Sequence, residues 1–253
     1  MLHPSPIRYI DHFNAFPAIR AVESTRHGGV STVPYASLNL GIYTDDDPED
    51  VAQNLAILCQ HLGINKDRLA SSHQVHDNKV LHVETPGHFE GYDALITNQP
   101  DVFLAVTIAD CTPILIFDPI KKSIAAVHAG WRGTVKQVVR AAIDEITKAF
   151  GTNPGHCFAY VGTCIDGDSY EVDHEVASHF PASCKKALPN NKFLVDLKVA
   201  NKLQLLKAGI PQSQIAISPY STFLDNEHFF SHRKEKGLTG RMMAVIGLKK
   251  LDT

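Results

Sequence analysis

The chain has 253 residues, 44% of them hydrophobic, which is enough to bury a sizeable core. Lys and Arg total 24 against 27 Asp and Glu, a formal charge of -3; this balance argues against binding a nucleic-acid backbone as the main task, while a small anion needs only a local patch. The longest apolar run, Val102 to Ile108, falls far short of a membrane span.

Along the chain, Met1-Leu2-His3-Pro4-Ser5-Pro6-Ile7-Arg8 lacks a charged start followed by an apolar stretch, so no signal peptide is expected. Thr25-Arg26-His27-Gly28-Gly29-Val30-Ser31 sets an arginine before two glycines. Asp47-Pro48-Glu49-Asp50 reads as an N-cap, a first-turn proline and two acids at the positive helix end. Val51, Leu55, Leu58 and Leu62 then share a helical face, and Gly63 stops the helix. Strands are expected over 102–108, 114–117, 123–128, 158–161 and 243–248, with Asp118-Pro119 as a turn. Their nearly continuous hydrophobicity implies cover on both faces. Thr134-Val135-Lys136-Gln137 fits a capping box opening a helix that carries Val135, Val138, Val139, Ala142, Ile143, Ile146 and Phe150 and ends at Gly151. Asp196 caps a third helix with Val199, Leu203 and Leu206, closed by Gly209 and Pro211. Helices mixed with apolar strands indicate an α/β or α+β layered fold. Without repeat, low-complexity segment or linker, a single domain over 1–253 is expected. The five cysteines, odd in number and scattered, form no disulfide framework and point to a reducing, cytoplasmic setting.

Three features carry chemistry. His73-Gln74-Val75-His76, Ala109-Asp110-Cys111 and His128-Ala129-Gly130-Trp131-Arg132-Gly133-Thr134 each sit at or just past an apolar strand, where a scaffold presents side chains to a pocket. Two imidazoles and a thiolate suit zinc with an open fourth position. The gaps of 35 (76 to 111) and 17 (111 to 128) match no compact zinc motif, and on spacing alone a small buried cysteine and two hydrogen-bonded histidines are the favoured reading. The turn at Gly130–Thr134 offers helix-start amides and Arg132 to an anion, with an ordinary strand–helix turn equally open. The tail Phe229-Phe230-Ser231-His232-Arg233-Lys234 with Thr239-Gly240-Arg241 supplies guanidinium groups suited to planar anions; a solvated loop is the commoner role for such a cluster. No phosphate loop, dinucleotide fingerprint, calcium loop or nucleophile elbow is present.

Together these motifs resemble the laccase-domain family, the multicopper polyphenol oxidoreductases that include purine nucleoside phosphorylases. The resemblance runs from Thr25–Ser31 and Leu38-Asn39-Leu40-Gly41 through Gln74-Val75-His76, Ala109-Asp110-Cys111-Thr112-Pro113, Asp118-Pro119 and His128–Thr134 to Asp196-Leu197, Asn201, Phe229-Phe230-Ser231 and Thr239-Gly240-Arg241. It implies a layered α/β/β/α sandwich with mixed sheets. It also implies zinc on His76, Cys111 and His128, and phosphorolysis of adenosine, inosine, guanosine and methylthioadenosine, with deamination of adenosine. Asp110 is then the nearest carboxylate to shuttle protons, and Arg26, Arg132 and Arg233 are the candidates for substrate and phosphate. The expected partners are a small nucleoside and phosphate, with no nucleic acid and no membrane. Alternatives are a copper-dependent phenol oxidase, with Cu2+ as an adventitious occupant, a hydrolase editing amino acids in peptidoglycan precursors, and a non-catalytic metal- or nucleotide-binding module. The chain departs from the family pattern at Leu55, where many members carry Arg. It departs also at Asp77 for a glycine, at Asp168-Ser169 for a cysteine pair, at Ser221-Thr222 for Cys-Thr and at His232 for a tyrosine.

Overall fold

The computed structural model describes residues 4–250; the expectation about the first residues of the chain falls in part on 1–3, outside the described residues. In chain order the elements are β1 (Ile7–Tyr9), β2 (Ile19–Ser24), α1 (Pro48–Leu62), β3 (Leu69–His73), β4 (Val80–His82), β5 (Gly87–Glu90), β6 (Ala94–Thr97), β7 (Phe103–Ile108), β8 (Thr112–Asp118), β9 (Ser123–Ala129), α2 (Trp131–Val135) and α3 (Val138–Phe150). There follow β10 (Phe158–Val161), β11 (Glu171–Asp173), α4 (His174–Ser178), β12 (Lys185–Ala187), β13 (Lys192–Val195), α5 (Leu197–Lys207), β14 (Ile215–Ile217) and β15 (Met242–Leu248).

Two six-stranded sheets stack face to face. The first has the order β1-β2-β15-β7-β3-β5 and the second β14-β10-β8-β9-β6-β4; a small third sheet is β11-β13-β12. Both large sheets are mixed: β15 pairs antiparallel with β7 while β3 runs parallel to β7 and β5, and β8 pairs antiparallel with β9 and β10 while β14 runs parallel to β10. Side-chain alternation distributes each central strand over two layers. On β7, Leu104 and Val106 enter the core between the sheets, with Leu115, Phe117, Ile124 and Ala126 of β8 and β9 opposite. Phe103 and Ala105 face outward against Leu58 and Leu62 of α1. Ile114, Ile116, Ala125 and Val127 face the other way, against Val138, Val139, Ala142, Ile143 and Ile146 of α3 and Leu205 of α5. The result is the expected α/β/β/α sandwich, and it explains why these strands read as continuous apolar runs.

The helices follow their end signals unequally. Asp47 caps α1 by accepting from the Glu49 amide, Pro48 stands at its start, and Gly63 closes it in the left-handed region at φ 66°. Asp196 caps α5 through the Val199 amide. The capping box at Thr134 does not form. Trp131–Val135 is a separate short helix, Gln137 turns left-handed at φ 61°, and α3 begins at Val138 with no side-chain cap. The reason is tertiary. Buried Thr134 receives a hydrogen bond on its hydroxyl from Asn201 (3.1 Å), and its carbonyl accepts from Gln204 (2.7 Å). The face of α5 also differs from the apolar pattern: Leu197, Ala200, Asn201 and Leu205 are buried, and Leu203 is exposed. A polar Asn201 turned inward toward α2 hides that face from a count of apolar residues.

Candidate metal centre

The β8–β9 hairpin accounts for the 17-residue gap. Its register sets Thr112 opposite Ala129 and Pro113 opposite His128, so Cys111, one residue before β8, lies beside His128 near the end of β9. His76 arrives from the first sheet, on a turn just after β3, with φ 59°. Gln74 fixes this turn to β7: its amide oxygen accepts from the Thr107 amide (2.7 Å) and hydroxyl (3.0 Å), and its nitrogen donates to the Thr107 carbonyl (2.8 Å).

Asp93, immediately before β6, is the organiser that sequence reasoning missed. Its fully buried carboxylate accepts from the backbone amides of Val75 (3.2 Å), His76 (3.0 Å) and Asp77 (2.8 Å) and lies 2.8 Å from Nδ1 of His128. One side chain therefore shapes the turn carrying His76 and takes one nitrogen of His128, leaving Nε2 for a ligand, as partners of metal-bound imidazoles do. The available signal was an acid directly before an apolar strand with no helix to cap.

The ligand atoms of His76, Cys111 and His128 all lie within 4.8 Å of one another, with Cys111 Sγ 3.9 Å from His76 Nε2. Tetrahedral zinc at ordinary bond lengths separates sulfur and nitrogen ligands by about 3.5 Å, so the donors need only a small inward movement to hold an ion. Gly130 closes the cradle: a Cβ there would meet Cys111 Sγ at 2.8 Å and the His76 ring at 3.0 Å. Among the described residues this is the one group of three or more metal-ligating side chains with donors so close. Burial acts to keep Cys111 protonated, yet the positive His128 beside it and hydrogen bonds from both histidines hold the thiol well below its ordinary value. Burial likewise opposes charge on His128, but negative Cys111 and Asp93 raise it. Burial also acts against Asp93, whose bond to His128 nevertheless keeps it below the usual carboxylate range. The donor set suits zinc or copper.

These residues line a cavity of about 660 Å3, walled also by Leu40, Val51, Leu55 and Met243 and by the cations Arg233 and Arg241. The other arginine expectations are corrected. Arg26 donates to the carbonyls of Ala36 (3.1 Å) and Asn226 (2.8 Å) and to Glu235 (3.0 Å), and lies over Phe230, away from the cavity lining. Arg132 lies exposed over the Trp131 ring, outside the lining. Arg233 does face the cavity, held by the Glu171 carbonyl (2.8 Å) and by the Tyr170 ring. Arg241, which the tail motif contains but the expectation omits, is the inner cation. Burial lowers its ordinary value against the pull of Cys111 and Asp110. Its guanidinium donates to the carbonyls of Thr239 (2.7 Å) and Gly240 (3.0 Å). Neither Arg233 nor Arg241 pairs with a carboxylate among the described residues.

Asp110 reaches the cavity, and both of its carboxylate oxygens already accept hydrogen bonds. One oxygen accepts from Thr222 (2.6 Å) and Ser231 (2.7 Å), the other from the Arg233 amide (2.6 Å). It docks the segment that bears Arg233. The departures acquire places too: Leu55 and His232 line the cavity, Asp77 pairs with Lys136 (2.8 Å), and the Ser221 hydroxyl donates to Asp166.

A family model described as multi-copper polyphenol oxidoreductase laccase matches residues 20–249. The chain is 35% identical to the purine nucleoside phosphorylase YlmD of Bacillus subtilis, over 90% of this chain and 87% of the relative. It is 41% identical to a purine nucleoside phosphorylase of Deinococcus radiodurans, over 90% of this chain and 89% of the relative. Among solved structures, a hypothetical protein YfiH of Bacillus licheniformis matches with a TM-score of 0.91 at 30% identity, covering 98% of this chain and 97% of that one. The matched span takes in all of the second large sheet, the first apart from β1 and the first residue of β2, and every donor of the centre, and the chain belongs to the multi-copper polyphenol oxidoreductase laccase family.

Proposed function

We propose that the chain is a purine nucleoside phosphorylase that holds one zinc ion on His76, Cys111 and His128 and deaminates adenosine as a second reaction. The observation that carries this reading is the union, on one cavity of about 660 Å3, of a His-Cys-His donor set with two guanidinium groups that have no carboxylate partner among the described residues. The names borne by the relatives support the substrate class. Zinc bound to these donors would supply a Lewis acid without redox chemistry. Arg233 and Arg241 are the groups to hold phosphate for attack on the ribose C1′, and fixing two reactants in one cavity removes much of the entropic barrier. Asp110 acts through the segment it docks, as a positioning residue. The apolar walls at Leu40, Val51, Leu55 and Met243 exclude water, which would otherwise compete with phosphate. The reading places the protein in the cytoplasm; no helix among the described residues is long and apolar enough to cross a membrane.

The direct test incubates metal-loaded protein with adenosine, with and without phosphate, and separates the products. Adenine and ribose 1-phosphate that appear only with phosphate report phosphorolysis, and inosine reports deamination. Unchanged adenosine in a fully loaded sample rejects both. Metal analysis of protein produced without added copper decides between zinc and the copper-dependent oxidase that the family description names, because copper outcompetes zinc at nitrogen and sulfur donors whenever it is supplied.

A further inference from the structure

The cavity has a second polar wall that the metal centre does not use. Tyr43, Ser71, His73 and His88 line it, contributed by the loop before α1, by β3 and by the edge strand β5. Glu90, also on β5, ties them together. His73 Nδ1 lies 3.0 Å from Glu90 Oε2, and the Tyr43 hydroxyl donates to Glu90 Oε1 (3.0 Å) and lies 2.9 Å from His88 Nε2. His88 Nδ1 in turn meets the Ser71 hydroxyl at 2.9 Å. The Tyr43 and His73 rings stack, centroids 4.1 Å apart and inclined by 30°. Hydrogen bonds from Tyr43, and after it from His73, hold Glu90 below the usual carboxylate range.

Stability does not explain this arrangement. The His73 side chain is 43% exposed and that of Glu90 69%, and exposed pairs add little to folding. What the arrangement does offer is an aromatic surface beside an imidazole whose Nδ1 is committed to a carboxylate. That bond orients the ring and leaves Nε2 as the nitrogen open to a ligand, the logic by which carboxylates prepare histidines for proton transfer.

We infer that this wall receives the purine base and that His73, oriented by Glu90, is the general acid that protonates the departing base at N7. The inference rests on the phosphorolysis reading. In the step, a phosphate oxygen forms the bond to C1′ while the C1′–N9 bond breaks and its electron pair passes to the purine. The His73 imidazolium gives the Nε2 proton to N7, so the base leaves neutral. The proton lost by phosphate on forming its ester returns through solvent, which the exposed imidazole reaches, and no oxidant or further reactant is required. The stacked Tyr43 ring extends the surface against which a planar base rests.

The experiment compares inosine with 7-methylguanosine, whose base already carries a positive charge at N7 and leaves without a proton. Steady-state rates are measured for wild type, His73→Gln and Glu90→Gln, with bound metal determined in each. His73→Gln is expected to lower kcat on inosine by about 100-fold and on 7-methylguanosine by less than about threefold, as removal of a general acid requires. Glu90→Gln, which keeps the shape but weakens the orientation, is expected to show the same selectivity at about tenfold. Equal losses on both substrates, or no loss on either, in variants with wild-type metal content would overturn the assignment. A wild-type enzyme that cleaves neither nucleoside would instead reject the phosphorolysis reading, and the assignment with it.

Discussion

The two walls of the cavity are held by different means. Around Cys111 and His128 nearly every fixing bond uses a buried group or the backbone: Asp93 accepts three amides and a ring nitrogen, Gln74 clasps Thr107, Asp110 anchors the Arg233 segment, and Gly130 makes room. Around His73 the bonds join exposed side chains to one another, and the loop carrying Tyr43 meets β5 through them. A site that must hold a metal at fixed bond lengths needs the first kind of construction. A wall that meets a substrate entering and leaving tolerates the second, because its side chains can exchange partners without leaving a buried polar group unsatisfied.

The contrast breaks most visibly at the metal. Cys111→Ser should empty the site and lower phosphorolysis by about a thousandfold, the several kcal/mol that a Lewis acid contributes. Elemental analysis and product assay read both effects, and full activity in a metal-free variant would mean that the metal-bearing wall has no catalytic part. Next in size is Asp93→Asn, where competition with a chelator should show metal affinity weakened by about 10- to 100-fold. An unchanged affinity would show that the His76 turn and the His128 ring keep their places without Asp93.

The arginines sharpen the comparison at a smaller scale. Arg241→Ala should raise the phosphate KM by about tenfold or more, the loss of a hydrogen bond to a charged ligand. Arg26→Ala should leave that KM alone and lower folding stability by about 1–3 kcal/mol, since Glu235 loses a charged partner; denaturant titration reads the second effect. The reverse pattern would restore Arg26 to the substrate site. On the exposed wall, Tyr43→Phe retains the stacked ring and removes the phenol, so the inosine KM should rise by only about two- to fivefold. A loss as large as that of Asp93→Asn would make this wall as rigid as the other.

The smallest signal is a proton count. With Cys111 held low and His128 held high, the metal-free pair stands near neutrality as thiolate and imidazolium. Zinc requires both in their deprotonated forms, so loading at neutral pH should release about one proton, from His128. The count should climb above one as pH falls through the lowered Cys111 value, and fall toward zero as pH rises through the raised His128 value. A weakly buffered titration measures it, and a release independent of pH would show that the two groups do not form such a pair.

Composition, apolar runs and end signals determined a good deal by themselves. The central strands, the capped α1, the stop of α3 at Gly151 and the Asp196 cap of α5 follow from local chemistry, because an Asp cap, a stopping glycine or a strand covered on both faces leaves its mark within a few residues. The family motifs likewise brought His76, Cys111 and His128 forward together. Only the folded chain decided which polar groups face one another. Thr134 looked like a cap until Asn201 and Gln204 claimed it, and Arg26 looked like a phosphate ligand until the carbonyls of Ala36 and Asn226 and the carboxylate of Glu235 engaged each of its three nitrogens away from the cavity. Asp93 stood out only when the chain brought it to the site, and Arg241, though part of the tail motif, was set apart from its neighbours only there. Hydrophobic patterning repeats within a helix or a strand and can be read locally, whereas a hydrogen-bond partner can lie anywhere along the chain, and sequence spacing carries no record of it.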